Sequence, residues 1–117
     1  MTVGKTKTNP NNTIAFQGEL GANSHMACME ARPNFEVLPC HSFEDMLAAV
    51  QEKRAIAAMV PVENSVAGRV ADIHHLLPDS GLFIVGEHFQ RVNAMLLGIK
   101  GAKVEQLTEI HSHVHAL

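Results

Sequence analysis

From Ala55 to Val62 the chain reads Ala-Ile-Ala-Ala-Met-Val-Pro-Val, almost continuously apolar, and then breaks into the polar triplet Glu63-Asn64-Ser65. A run of this length without alternation suits a β-strand covered on both faces, as in a parallel sheet. Pro61 has no N–H to give a neighbouring strand, so it fits only near the end of that strand. A strand buried on both faces needs helices on both sides, and the rest of the sequence has to supply them.

The flanking segments alternate accordingly. Thr13-Ile-Ala-Phe-Gln17 reads as a short buried strand, followed at once by the turn Gly18-Glu-Leu-Gly21. Asn23 or Ser24 can cap the next helix, which carries Met26, Ala27, Met29 and Ala31 and is stopped by Pro33. Phe35 to Pro39 is a second strand candidate. Ser42-Phe43-Glu44-Asp45 resembles a capping box. Behind it Phe43, Met46, Leu47 and Val50 recur at i, i+3, i+4 and i+7, an amphipathic helix running to Lys53 and Arg54. After the polar triplet, Val70, Ile73, His74 and Leu77 share one helical face up to Pro78 and Gly81. Leu82 to Val85, Asn93 to Ile99 and Thr108 to His111 are further strand candidates, and His113 to Leu117 reads as a helix start. The order β-α-β-α-β-α-β with short links predicts an α/β fold with a doubly wound, mostly parallel sheet. Residues 1–12 (Lys, Thr, Asn and Pro with nothing to bury) read as a disordered polar tail ahead of one domain over 13–117.

A chain of 117 residues buries roughly two-thirds of its unfolded surface, enough for a real core. With five Phe and no Trp or Tyr, that core has to be built from Val, Ile, Leu, Met and Ala. A net charge of −3 without a basic block offers nucleic acid no electrostatic footprint. So few aromatics also leave no stacking platform for single strands. No apolar run approaches a membrane span, and the opening residues lack the apolar core of a signal peptide. Cys28 and Cys40 lie in different predicted elements without CxxC spacing, which fits a cytoplasmic protein with two reduced, buried thiols.

In an open parallel sheet, ligands bind beyond the carboxyl ends of the strands, and two loops fall there. The first, Gln17 to Ser24, joins a strand to a helix start. Its glycines let backbone approach a ligand, and the unpaired N–H groups and helix dipole favour an anion. The same residues also suit a plain tight turn with an ordinary N-cap. The spacing is GxxG, neither the dinucleotide fingerprint nor a P-loop. The second loop, Glu63 to Arg69, sets a carboxylate, an amide and a hydroxyl side by side, which can serve proton transfer, charge stabilisation and orientation. Equally, its polar side chains can satisfy the turn's own backbone. Of the eight histidines, His111, His113 and His115 alternate and His74 and His75 are adjacent. With no HExxH and no paired Cys and His ligands, no metal site is expected. His74, on the apolar face of its helix, is expected to be packed and hydrogen-bonded.

At these loops the sequence resembles the prephenate dehydratase family. Phe16 to Ala27 (FQGELGANSHMA) is similar to that family's glycine-rich opening motif, and Val60 to Val70 (VPVENSVAGRV) to its Pro-x-Glu-Asn-Ser signature with a glycine beyond. Ser112-His113-x-x-Ala116-Leu117 matches the start of a third motif. The family usually has Thr and an aromatic residue where this chain has Ala22 and Asn23, and Pro in place of Val114. The resemblance implies one lobe of a two-lobed domain like a type II periplasmic binding protein, with the active site between lobes. It implies decarboxylating dehydration of prephenate to phenylpyruvate in phenylalanine biosynthesis, with no cofactor and as a homo-oligomer. Glu63, Asn64 and Ser112 would be catalytic; Gly21, Ala22, Asn23, Ser24, Ser65 and Gly68 would line the substrate. The Thr-Arg-Phe motif of the family's second lobe and the regulatory phenylalanine-binding domain of many members are not among these residues, so the chain reads as a first lobe cut off before the second and is expected to be inactive alone. The alternative is a non-catalytic half-clamp for a small anion or an aromatic amino acid.

Overall fold

Thr13–Gln17 (β1) is buried almost throughout and forms the middle of the sheet. In the computed structural model, which describes residues 10–113 and 117, it pairs in parallel with β2 (Glu36–Cys40) and β3 (Ala57–Met59), in the order β2-β1-β3. The register sets Phe16 opposite Pro39 on one side and Met59 on the other. Helix α1 (Asn23–Ala31) links β1 to β2, and α2 (Phe43–Gln51) links β2 to β3. A two-stranded antiparallel hairpin, β4 (Glu63–Asn64) and β5 (Gly68–Arg69), then leads into α3 (Ala71–Leu76).

Side chains alternate across a strand, so β1 feeds two separate cores. Ile14 and Phe16 pack with Cys28 of α1, flanked by Phe35, Val37 and Met59. Ala15 packs with Met46, Leu47 and Ala49 of α2 and Ile73 of α3. The sheet therefore carries helices on both faces, the doubly wound arrangement that the alternating elements predict. This is an α/β fold with a three-stranded parallel sheet interleaved with helices, consistent with one periplasmic-binding-protein-like lobe. Full burial of a side chain the size of Phe16, Met46 or Ile73 contributes up to about 3 kcal/mol each.

The two thiols end in different cores, Cys28 on the inner face of α1 and Cys40 at the end of β2 against α2. Burial pushes the Cys28 thiol up to about 11, so it stays protonated and unreactive near neutrality. Burial also raises Cys40, with the nearby Arg54 guanidinium pulling in the opposite direction.

Local signals set the helix ends. Ser42 Oγ accepts the Asp45 N–H at 3.1 Å, the cap expected at α2 and worth about 1 kcal/mol. Lys53 adopts a left-handed φ of 62° and turns the chain out of α2 toward β3. At α1 the expectation of an Asn23 or Ser24 cap is corrected: the N-cap is Ala22, with no side-chain cap bond. Gly21, at φ 91°, and the extended Ala22 start the helix one residue early, so Asn23 and Ser24 already lie in its first turn.

Other expectations are also revised. Ala55 to Val62 yields only the short β3, half-buried and at an edge among the described residues, while β1 is the covered central strand. No further strand pairs with its outer side there, so Ile56 stays 53% exposed. The strands expected at 82–85, 93–99 and 108–111 do not form. An extended segment becomes a strand only when a neighbour takes its hydrogen bonds, and these find none. Phe83, Val85, Leu97 and Ile99 are each more than four-fifths exposed. His88 lies 3.6 Å from Glu30 of α1, one of the few points where this stretch meets the lobe. The radius of gyration is accordingly 16.8 Å, against about 13 Å for a compact domain of this length. His74 is exposed rather than packed, although its Nε2 lies 3.3 Å from the Val62 carbonyl; Ile73 is the buried residue of α3. Pro10–Asn12 form a 3-10 turn, and Asn12 donates to the Asn34 carbonyl at 3.3 Å. The rest of the expected tail and most of the expected helix start at 113–117 lie outside the described residues.

Candidate active site

The strand order decides where a site can be. The chain leaves β1 for β2 on one side and returns to β3 on the other, so the sheet's switch point lies between β1 and β3. Adjacent crossovers diverge there and leave a crevice beyond the carboxyl ends of the strands. The glycine turn follows the end of β1 at Gln17, and the Glu-Asn-Ser hairpin follows the end of β3 at Met59. Because these strands are parallel neighbours, both loops emerge from the same edge of the sheet.

The glycine turn is tied at both ends. Gly18 donates its N–H to the Cys40 carbonyl at 3.0 Å, joining the turn to the end of β2. Gly21 donates to His25 Nδ1 at 2.8 Å. The His25 ring stacks on Phe16, with centroids 5.5 Å apart and planes within 10°. Since Ala22 carries no hydroxyl or carbonyl to turn inward, no side chain caps α1. Its first-turn N–H groups are thus left to solvent or to an anion.

In the hairpin, Asn64 Oδ1 accepts the N–H groups of Val66 and Ala67 at 2.8 and 3.0 Å. This turn fixes the Asn64 side chain and commits its oxygen, while the amide N–H donors take no part in it. The left-handed Gly68, at φ 84°, closes the loop. The register sets Glu63 opposite Arg69 and Asn64 opposite Gly68. Cross-strand partners stand about 5 Å apart at Cβ, so a carboxylate and a guanidinium are neighbours on this hairpin. Glu63, Asn64 and Ser65 are all exposed.

Of the residues singled out from the sequence, Gly21, Ala22, Asn23 and Ser24 therefore share one sheet edge with Glu63, Asn64, Ser65 and Gly68. Ser112 does not join them. It lies exposed in an irregular stretch, without a hydrogen bond to either loop. An open hollow of about 750 Å³, lined by Gly98, Lys100, Lys103, Thr108, Glu109 and His111 among others, contains none of these residues. No cluster of three or more metal-ligating side chains occurs among the described residues. Nor is any helix among them long and apolar enough to cross a membrane. His25 and Arg69 belong to the site's geometry but had no assignment from sequence. The signals for them were their places inside the two family-like motifs, with His25 four residues after Gly21 and Arg69 one after Gly68.

Comparison with known proteins covers nearly all of this framework. The family model for prephenate dehydratase matches residues 14–117. A bifunctional N-acyl-homoserine lactone acylase/prephenate dehydratase of Komagataeibacter europaeus is 56% identical over 89% of this chain and 37% of its own length. Arogenate dehydratase/prephenate dehydratase 1 of Arabidopsis thaliana is 41% identical over 89% of this chain and 26% of its own. The solved structure of GqqA, described as a novel type of quorum quenching acylase, is 60% identical. It superposes with a TM-score of 0.64 over 69% of this chain and 42% of that one. The chain thus spans between a quarter and two-fifths of the length of these curated relatives. Both loops at the switch point fall inside the matched region, and on that match the chain belongs to the prephenate dehydratase family.

Proposed function

We propose that residues 13–117 form the first lobe of a prephenate dehydratase and supply one wall of its cleft. The observation that carries this reading is the adjacency of the glycine turn and the Glu-Asn-Ser hairpin at the carboxyl ends of β1 and β3. Prephenate carries two carboxylates. The uncapped first turn of α1, with Gly21 to Ser24, holds one of them, and Asn64 donates through its amide N–H groups. Glu63 orients and polarises the site, Ser65 and Gly68 line it, and Ser112 contributes from the crossover. The ring carboxylate leaves as carbon dioxide, its bonding electrons enter the ring, and the C–O bond breaks as hydroxide takes up a proton. Aromatisation drives this step, so the site mainly orients the dianion and assists hydroxide departure.

A second reading is favoured by the 56% identical bifunctional relative, whose name joins an acylase to the dehydratase. Separate assays of the full-length gene product with prephenate, arogenate and an N-acyl-homoserine lactone distinguish the readings. Phenylpyruvate released from prephenate is the expected result. Lactone-amide hydrolysis with no product from prephenate or arogenate would overturn it.

We also propose that the 117-residue chain by itself, its inter-lobe surface uncovered, self-associates or is partly disordered near residues 108–117. Apolar side chains spread from Phe83 to Ile110 are too exposed for a free monomer. Sedimentation velocity should find a dimer or larger species at micromolar concentration; a single monomeric boundary would contradict it.

A further inference from the structure

We infer that His25 is the positioning residue of the glycine turn, accepting the Gly21 N–H on Nδ1 and so holding the α1 N–H groups toward an anion. This rests on the reading of that turn as a carboxylate site. Between Gly18 and Gly21 the chain reaches out through Glu19 and Leu20, both exposed, Leu20 by 65%. Nothing packs on Gly21: a Cβ built there would meet no atom within 4 Å. Packing therefore cannot fix the turn, and hydrogen bonds must. At the Gly18 end the Cys40 carbonyl does so; at the other end Ala22 donates to the Glu19 carbonyl at 3.1 Å, closing the turn on its own backbone, and His25 Nδ1, accepting from Gly21 at 2.8 Å, is the side chain that ties it to the helix.

The His25 ring is itself immobilised. It lies nearly parallel to Phe16, whose side chain is fully buried in β1, so the sheet's own core sets where the acceptor stands. A ring nitrogen that accepts carries no proton, so the neutral ring keeps its proton on Nε2. The chain of position runs from Phe16 to the His25 ring, from Nδ1 to the Gly21 N–H, and so to the helix start. With no side chain capping α1, this is the side-chain link from the core to that helix start, beside the backbone bond from Ala22 to Glu19.

Two variants separate the acceptor from the ring. His25→Phe keeps an aromatic face on Phe16 and removes the acceptor. His25→Asn loses the ring and keeps an acceptor at the δ position. Backbone amide resonances of the 117-residue chain, followed with and without prephenate, read both. In the unsubstituted chain, nitrogen-proton correlations should show His25 protonated on Nε2 and bare on Nδ1. His25→Phe should displace the Gly21 amide resonance and weaken prephenate binding about five-fold, the scale of one lost hydrogen bond. His25→Asn should stay within about two-fold, since the bond survives. A proton on Nδ1, or a His25→Phe variant with an unmoved Gly21 amide, would overturn the inference. The expected tautomer and Gly21 response with no perturbation by prephenate would uphold the positioning and overturn the substrate reading instead.

Discussion

Asn64→Asp in the full-length gene product should lower kcat/KM for prephenate by about a hundred-fold or more while leaving the hairpin folded. The two atoms of the Asn64 amide do different things. Oδ1 accepts the Val66 and Ala67 N–H groups and builds the turn. The amide nitrogen of this exposed side chain carries the donors that, on the proposed reading, meet substrate. Aspartate retains an oxygen for the turn, so the register of Glu63 against Arg69 and Asn64's position against Gly68 should persist. It exchanges the donor for a negative oxygen beside a dianionic substrate. Loss of one preorganised donor at a developing charge costs roughly two to three orders of magnitude in rate, and like-charge repulsion adds to it. Asn64→Ala should lose the donor and the turn together, so its hairpin amide resonances should move as well. An aspartate variant within about three-fold of the parent would show that the Asn64 donors do not meet substrate.

The same residue marks how far sequence carries the site. Composition and pattern left two readings of Glu63-Asn64-Ser65, a reactive triplet or side chains serving their own turn. In the fold, Asn64 serves the turn with its oxygen and keeps its donors exposed, so the readings are not exclusive. A spacing rule cannot separate the two ends of one amide. The first half of the fold was legible for a related reason. Thr13 to Gln51 alternates apolar runs with good stop signals, and each run finds part of its cover within the segment: Phe16 under α1, Met46 and Leu47 under the other face of β1, with Met59 and Ile73 completing the two cores. Ser42 announces its helix because its cap is made within four residues.

Ala22 announces nothing, because that helix start is set by the φ of Gly21 and a histidine ring. The later strands failed differently. Leu82 to Val85 and Asn93 to Ile99 have the composition of strands, but strand formation depends on a partner edge rather than on the segment itself. The apolar run that most constrained the fold was right about a parallel sheet and wrong about its own place in it. β3 occupies an edge, and only three of its eight apolar positions pair.

The largest stability effect should come from Phe16. Its side chain is fully buried, it sits on the central strand, and it meets Cys28 on one helix while carrying the His25 ring at its top. Phe16→Ala removes most of a large side chain from a site walled by β1, its neighbours and α1, which cannot all collapse inward. A loss of about 3–5 kcal/mol follows. Against a total of about 5–15 kcal/mol for a domain, that leaves little or no folded population. Phe16→Leu keeps most of the apolar volume, so it should cost less than about 2 kcal/mol and remain folded. It does remove the flat surface under His25. Urea unfolding of the two variants therefore measures the core alone, while the Gly21 amide in the leucine variant measures the link from core to turn. An alanine variant destabilised by under about 1 kcal/mol would mean that Phe16 is not enclosed as the two-faced sheet requires.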